Sequence, residues 1–301
     1  MNCKEGNGMH SFLRAVGFEQ MNNTQLDQIL SKVAEQPNYM NMAKDSQGNQ
    51  FIEYSKDFGN SIGITVCGSY LENGMFEMDY YYPYFRGSKI TIEEQIEVEK
   101  HADKESYAVV CDDIKIGVTL IFFLQNVADY LKRKTAWKNK FLPKEYVTLS
   151  GLSLGGKIIL PINKSETQVL KKDQITQERN HLIAAARDGD EDAIESLTLE
   201  DIDMYTILSR RVMNEDILSI VDSYFMPYGV ESDQYSVLGE ILNVCHIENR
   251  LTHQKICVLT IDTNDLIYDI CINEEDLLGE PVVGRRFKGN IWMQGCINLN
   301  N

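Results

Sequence analysis

No stretch of this chain reaches the ~20 consecutive apolar residues that a bilayer-crossing helix needs. The longest apolar run, Ile114 to Leu124, is broken by Lys115, Gly117 and Thr119 and reads as a buried strand. The first eight residues, MNCKEGNG, lack the apolar segment that a secretory signal carries. Positive charge is scarce: 29 Lys and Arg stand against 45 Asp and Glu, a formal net charge of −16. So negative a chain argues against a nucleic-acid coat and against an anionic-membrane binder, because both must present a positive field to phosphate. Low-complexity linkers are missing too, so the successive parts of the chain are expected to pack together.

What remains is globular. The chain has 301 residues, 43% of them hydrophobic and 25% charged, enough for a real core and about two domains of ordinary size. Seven cysteines, Cys3, Cys67, Cys111, Cys245, Cys257, Cys271 and Cys296, give an odd count at irregular spacing. Most fall inside β-like apolar runs, where a free thiol behaves as a small hydrophobe. Reduced cysteines in a cytoplasm are the economical reading. Met9 opens the first structural segment, and residues 1–8 are expected to be a disordered extension or an upstream start.

Residues 9–35 read as helical, with Asn23 or Thr24 as N-cap and Leu26, Ile29, Leu30 and Val33 at helical spacing. Strands are expected from about residue 50, with Asn73-Gly74 as a hairpin turn between SIGITVCGSYL and MFEMDYYYPYF. An acidic amphipathic helix is expected over 91–104, followed by strands in SYAVVCDD and KIGVTLIFFL. A weak echo between Ile62–Val66 and Ile116–Leu120, each downstream of an expected helix, suggests a duplicated helix-plus-hairpin unit. Residues 165–226 read as helices, with start signals at Thr198 and at Asn214, Glu215 and Asp216. Ile217, Ile220, Val221 and Tyr224 form the stripe of the last one. Past Gly229, short strands near 236–247, 255–261, 266–272 and 290–298 suggest a small barrel or sandwich. The expected organisation is an extension (1–8), an α+β domain (9–164), a helical segment (165–228) and a small β domain (229–301). The fold class is α+β, antiparallel sheets with packed helices.

Catalytic motifs are present only as fragments. Gly151-Leu152-Ser153-Leu154-Gly155 spells a nucleophile elbow, which would make Ser153 the nucleophile of a hydrolase. An elbow must open a helix, however, and Lys157-Ile158-Ile159-Leu160-Pro161 reads as strand. Gly155-Gly156 instead suggests a two-residue hairpin turn. Gly151 with Gly156-Lys157 imitates a phosphate-binding loop, but Ile158 stands where Ser or Thr would hold Mg²⁺. Asp57-Phe58-Gly59 has no kinase context. Asp188, Asp190 and Asp192 match the start of a calcium loop, but Ala193 and Leu199 break it, leaving an acidic turn that caps a helix. Cys245, His246, His253 and Cys257 could be tried as metal ligands. A hairpin turning near Leu251 would pair Cys245 with Cys257 and send His246 to the other face, so the four would not converge. His101 with Asp112 and Asp113 is the remaining acid/base possibility.

Local charge is the feature with most weight. Lys132, Arg133, Lys134, Lys138, Lys140 and Lys144 cluster in an otherwise acidic chain, with Trp137 and Phe141 among them. They could hold an anion or nucleotide, or dock an acidic partner, including another copy; the plainer alternative is a solvated helix end pinned by Trp137. Arg285, Arg286 and Lys288 form a smaller basic turn. Tyr80, Tyr81, Tyr82, Tyr84 and Phe85 make an aromatic run that is either an interface or a central strand covered on both faces.

MHSFLRAVGF from Met9, EYSKDFG from Glu53, YFMPYGVESDQYSVLGEI from Tyr224 and GEPVVGRRFKGNIWMQG from Gly279 together resemble a domain-of-unknown-function family. Its members are proteins of about this length from anaerobic, Clostridia-type Gram-positive bacteria. The resemblance implies a bacterial cytoplasmic setting and brings no activity, cofactor or catalytic residue with it. The function expected is a non-catalytic binding or protein-interaction module with no cofactor and no metal. Its partner is another protein or a second copy, not nucleic acid or membrane. The alternatives are a serine hydrolase using Ser153, and an anion or nucleotide sensor using the basic patch with Lys132, Arg133, Lys134, Trp137, Lys138 and Lys140 as its site.

Overall fold

A computed structural model describes residues 9–19, 21–45, 48–100, 106–112, 119–136, 145–162, 178–179, 181–186, 189–213 and 216–298. The chain opens with a 3₁₀ turn, Ser11–Val16, closed by Gly17 at φ 88. Helix α1 (Asn23–Glu35) follows, capped one residue earlier than its sequence suggests. The Asn22 side chain accepts from the Gln25 backbone N–H while the Gln25 side chain accepts from that of Asn22. Leu26, Leu30 and Val33 then bury one stripe of the helix.

Four strands form the first sheet in the order β1 (Tyr39–Lys44), β2 (Gln50–Asp57), β3 (Ile62–Tyr70), β4 (Phe76–Phe85), all antiparallel. The expected hairpin joins β3 to β4, with Gly74 at φ 78 and the Asn73 side chain accepting from the Met75 N–H. Tyr80, Tyr81, Tyr82, Tyr84 and Phe85 are all buried, so the aromatic run is covered on both faces and presents no groove.

The second sheet contains β5 (Ile92–Glu94), β6 (Ile96–Lys100), β7 (Tyr107–Asp112), β8 (Thr119–Leu124), β9 (Glu145–Ile159), β10 (Tyr224–Pro227), β11 (Gln234–Glu248), β12 (Lys255–Thr263), β13 (Leu266–Asn273), β14 (Leu277–Leu278) and β15 (Arg286–Asn298). The main path runs β10-β11-β12-β13-β9-β15-β8-β7-β6. Because β11 also pairs with β15, strands β11, β12, β13, β9 and β15 close into a five-stranded barrel. The C-terminal strands supply four of its staves, as the turn signals there suggested. Asn264 and Asp265, both at positive φ (54 and 63), make the two-residue turn between β12 and β13. The fifth stave, β9, enters parallel to β13 and antiparallel to β15.

Between β8 and β9 lies helix α2 (Val127–Ala136), and before β10 lie α3 (Glu191–Val212) and the single turn α4 (Ile217–Ile220). Asp190 caps α3, accepting from the N–H groups of Asp192 and Ala193, so the acidic turn of the sequence is a helix cap.

Several expectations are corrected. The acidic segment 91–104 is strand where described, not helix: Ile92 and Ile96 are buried four apart, a spacing that fits both periods, and Glu93, Glu94, Glu97 and Glu99 are exposed around them. The second copy of the echo therefore lacks its helix, and residues 113–118 of that copy lie outside the described residues. Gly155-Gly156 is no hairpin turn but the middle of continuous β9, where a Cβ on Gly156 would come within 2.2 Å of the Phe287 ring. Thr198 starts no helix; its hydroxyl donates to the Ile194 carbonyl inside α3. The stripe expected through Tyr224 ends at Ile220, because Tyr224–Pro227 pairs with β11 as a strand.

Candidate functional site

The hydrolase reading meets its geometry at Ser153. The residue lies mid-strand in β9 opposite Ile291, fully buried, and its hydroxyl donates to the carbonyls of Gly155 and Asn290. No strand-to-helix turn lifts it toward solvent, since β9 runs on to Ile159. We expect no labelling of the wild-type protein by a fluorophosphonate probe. Ser153→Ala should instead cost about 1–3 kcal/mol in a urea titration, the usual penalty for stranding buried partners. Clear labelling that disappears in the alanine variant would reverse this assignment.

The cysteine–histidine group is dispersed. A register shift between Ile241 and Asn243 slides the β11–β12 hairpin by one residue from the expected pairing. Cys245 therefore faces Val258, and His246 faces Cys257. His246 and His253 pair separately with Glu274 and Glu248. Among the described residues no three His, Cys, Asp or Glu side chains gather as a metal would require. His101 and Asp113 lie outside the described residues, as do Asp188 and the segment holding Trp137, Lys138, Lys140 and Lys144.

An open groove of about 580 Å³ runs along Ile159, Leu160 and Pro161, across from Asp216, Leu218 and Ser219, with Arg286 in its wall. Among the described residues its one cation is already committed. The Arg286 guanidinium donates to the carbonyls of Leu160 (twice), Leu218, Val221 and Asp222, which occupies its five N–H donors. Burial lowers its pKa, offset in part by Asp222. Arg286 thus ties the end of β9 to the chain after α4, and it has no donor left for an anion.

The described part of the basic patch has a different setting. In α2, Val127, Ala128 and Leu131 are buried, so the helix lies on the first sheet with Asp129 in its first turn and Arg133 and Lys134 in its last. That charge order suits the helix dipole. Lys132 and Lys134 are exposed. Lys132 Nζ stands 3.5 Å from Asp129 Oδ1 and 3.4 Å from the side-chain oxygen of Asn41, and Asn41 in turn donates to Asp129 at 3.3 Å. Lys134 sits 5.6 Å from the centroid of the Tyr130 ring.

Asn41 belongs to β1, and β1 is the end strand of its sheet, paired only with β2 among the described residues. Its outer surface is apolar: Tyr39, Met40 and Met42 are 54, 49 and 36% exposed. Arg86, ion-paired with Asp57 at 3.3 Å, lies over the Tyr39 ring at 4.8 Å and holds it in place. An uncovered strand edge with few charges on it is a template for another strand. The sequence reading began its strands near residue 50 and missed β1; in YMNMAK only the alternation of Met40 and Met42 hints at a strand.

It also passed over Glu53. This β2 residue is 96% buried, and one carboxylate oxygen accepts from the Ala128 N–H at the start of α2 while the other has no hydrogen-bond partner. Burial pushes its pKa up to about 8; Asp129 adds to the rise, while the backbone N–H groups of Ala128 and Val127 and the charge of Lys132 oppose it. The Cys67, Tyr80, Tyr82 and Cys296 thiols and phenols are shifted upward as well, first by loss of solvent and then partly by Glu53. A carboxyl here pins the helix that carries the lysines.

Among the described residues, no helix is long and apolar enough to cross a membrane. A family model described as "Domain of unknown function, E. rectale Gene description (DUF3881)" matches residues 13–295. No curated protein and no solved structure matches the chain.

Proposed function

The chain belongs to the DUF3881 family, a domain family of unknown function, and we propose that it is a non-catalytic protein-interaction module. Its docking surface is the open edge of β1 together with Lys132 of α2. One observation carries this reading: Lys132 is tied through Asn41 to the exposed edge strand, so positive charge stands beside unpaired backbone. A partner would add an extended segment to β1 through main-chain hydrogen bonds, and an acidic side chain on it would meet Lys132. The edge supplies affinity and Lys132 supplies selection and orientation. The described cysteines are free thiols, four of them buried, which suits a reducing cytoplasm. A net charge of −16 makes nucleic acid and anionic lipid poor partners.

The test is fluorescence anisotropy with two labelled peptides, one alternating Glu with Val and one alternating Lys with Val. The acidic peptide should bind and the basic one should not. The variant Lys132→Glu should weaken the acidic peptide by at least about tenfold, or ~1.4 kcal/mol. Added salt should weaken it too, since these charges are exposed and screening is strong beyond about 10 Å at 0.1 M. Equal binding of both peptides, or of wild type and variant, would overturn the reading.

A further inference from the structure

We infer that the strand docking on β1 is β6 of a second copy of this chain, so that the protein self-associates through two complementary sheet edges. This rests on the docking surface proposed above and adds the identity of its occupant. Strand β6 ends the long sheet as β1 ends the short one, pairing only with β7 among the described residues. The two edges match in length, six residues in β1 and five in β6. They also match in charge. Where Lys132 stands beside the β1 edge, β6 exposes Glu97 and Glu99, neither in an ion pair among the described residues, and Glu93 and Glu94 precede it.

Register supplies the second argument. Asn41 of β1 bonds to α2, so the Tyr39, Asn41 and Ala43 side chains are on the helix face and Met40 and Met42 are on the other. Adding β6 to this edge allows two registers, because a one-residue slip exchanges its faces. One places Glu97 and Glu99 on the α2 face with Lys132 and sets the half-buried Val98 next to Met40 and Met42. The other register puts carboxylates against methionine and valine against lysine. Charge and apolar contact therefore select the same register. The chain as a whole is strongly negative and repels its own copies, so association depends on this local complementarity. The contact joins different surfaces, and a two-fold arrangement that uses each edge once per copy would close it.

Charge exchange on the full-length protein tests this, with mass read by light scattering after size exclusion over a concentration series. The wild type should show a mass above one copy that rises with concentration. Lys132→Glu and Glu97→Lys should each run as monomers. The combined double variant keeps the wild-type net charge and should recover the higher mass. A monomeric wild type at every concentration, or an oligomer indifferent to either single exchange, would overturn the inference. If the acidic peptide still binds β1 in that event, the interaction module stands and its partner is another protein; if the peptide fails as well, both readings fall.

Discussion

Glu53→Gln is expected to stabilise the protein at pH 8 and to leave its stability near that of the wild type at pH 4. In the folded chain the carboxyl is buried under the start of α2 with one oxygen unpartnered, and its pKa stands at about 8 against an ordinary 4.5. Below 4.5 the group is protonated whether the chain is folded or not, and it contributes no pH dependence. Between 4.5 and 8 the unfolded chain gives up its proton while the folded chain keeps it, so stability falls as pH rises. Above the folded value the loss is complete, roughly 4–5 kcal/mol for a shift of this size. Glutamine keeps the acceptor for Ala128 N–H and cannot ionise. Urea titrations at pH 4, 6 and 8 should therefore show the variant pulling ahead progressively. Parallel curves for the two proteins would mean that Glu53 reaches water in the folded state.

Arg286→Met should unfold the protein more easily by about 3–5 kcal/mol, the range for leaving a buried charged network without one member. The side chain is 96% buried, and methionine preserves much of its volume while removing every donor. The carbonyls of Leu160, Leu218, Val221 and Asp222 would lose their shared partner, releasing the end of β9 from the turn after α4. Arg286→Lys should fall between the two, since an ammonium offers three donors from one point and the arginine fork offers five. A methionine variant within about 0.5 kcal/mol of wild type would show that water from the adjoining groove satisfies the carbonyls equally well.

The difference between the legible and illegible parts of this molecule is the range of the interaction. Asn73-Gly74 and Asn264-Asp265 announced their turns because Gly74, Asn264 and Asp265 stand at positive φ, which glycine, asparagine and aspartate tolerate by their own chemistry. Strands β11, β12, β13 and β15 were visible for a similar reason, as local alternation bounded by local turns. The segment 91–104 was misread because Ile92 and Ile96 satisfy both helical and strand spacing, and only pairing with β9 and β7 decides between them. Gly155-Gly156 looked like a turn because the reason for those glycines, the Phe287 ring, is more than a hundred residues away in sequence. Of the candidate site, Lys132, Arg133 and Lys134 were legible as a charge cluster. The strand beside Lys132 was not, and neither was Glu53, because nothing near either in the sequence reports that one is an edge and the other is buried.

By itself, then, the amino-acid sequence determined the α+β class, the net negative charge, the C-terminal run of strands and the mismatch of the nucleophile-elbow, phosphate-loop and calcium-loop fragments with their contexts. Each of these follows from composition or from contacts within a few residues. Only the tertiary structure decided that β9 would complete a barrel with the C-terminal strands, that Ser153 would be sealed inside it, and that β1 and β6 would end their sheets among the described residues. Those outcomes depend on which strands meet, a choice made by the burial of whole faces and by backbone hydrogen bonds between residues far apart in the chain.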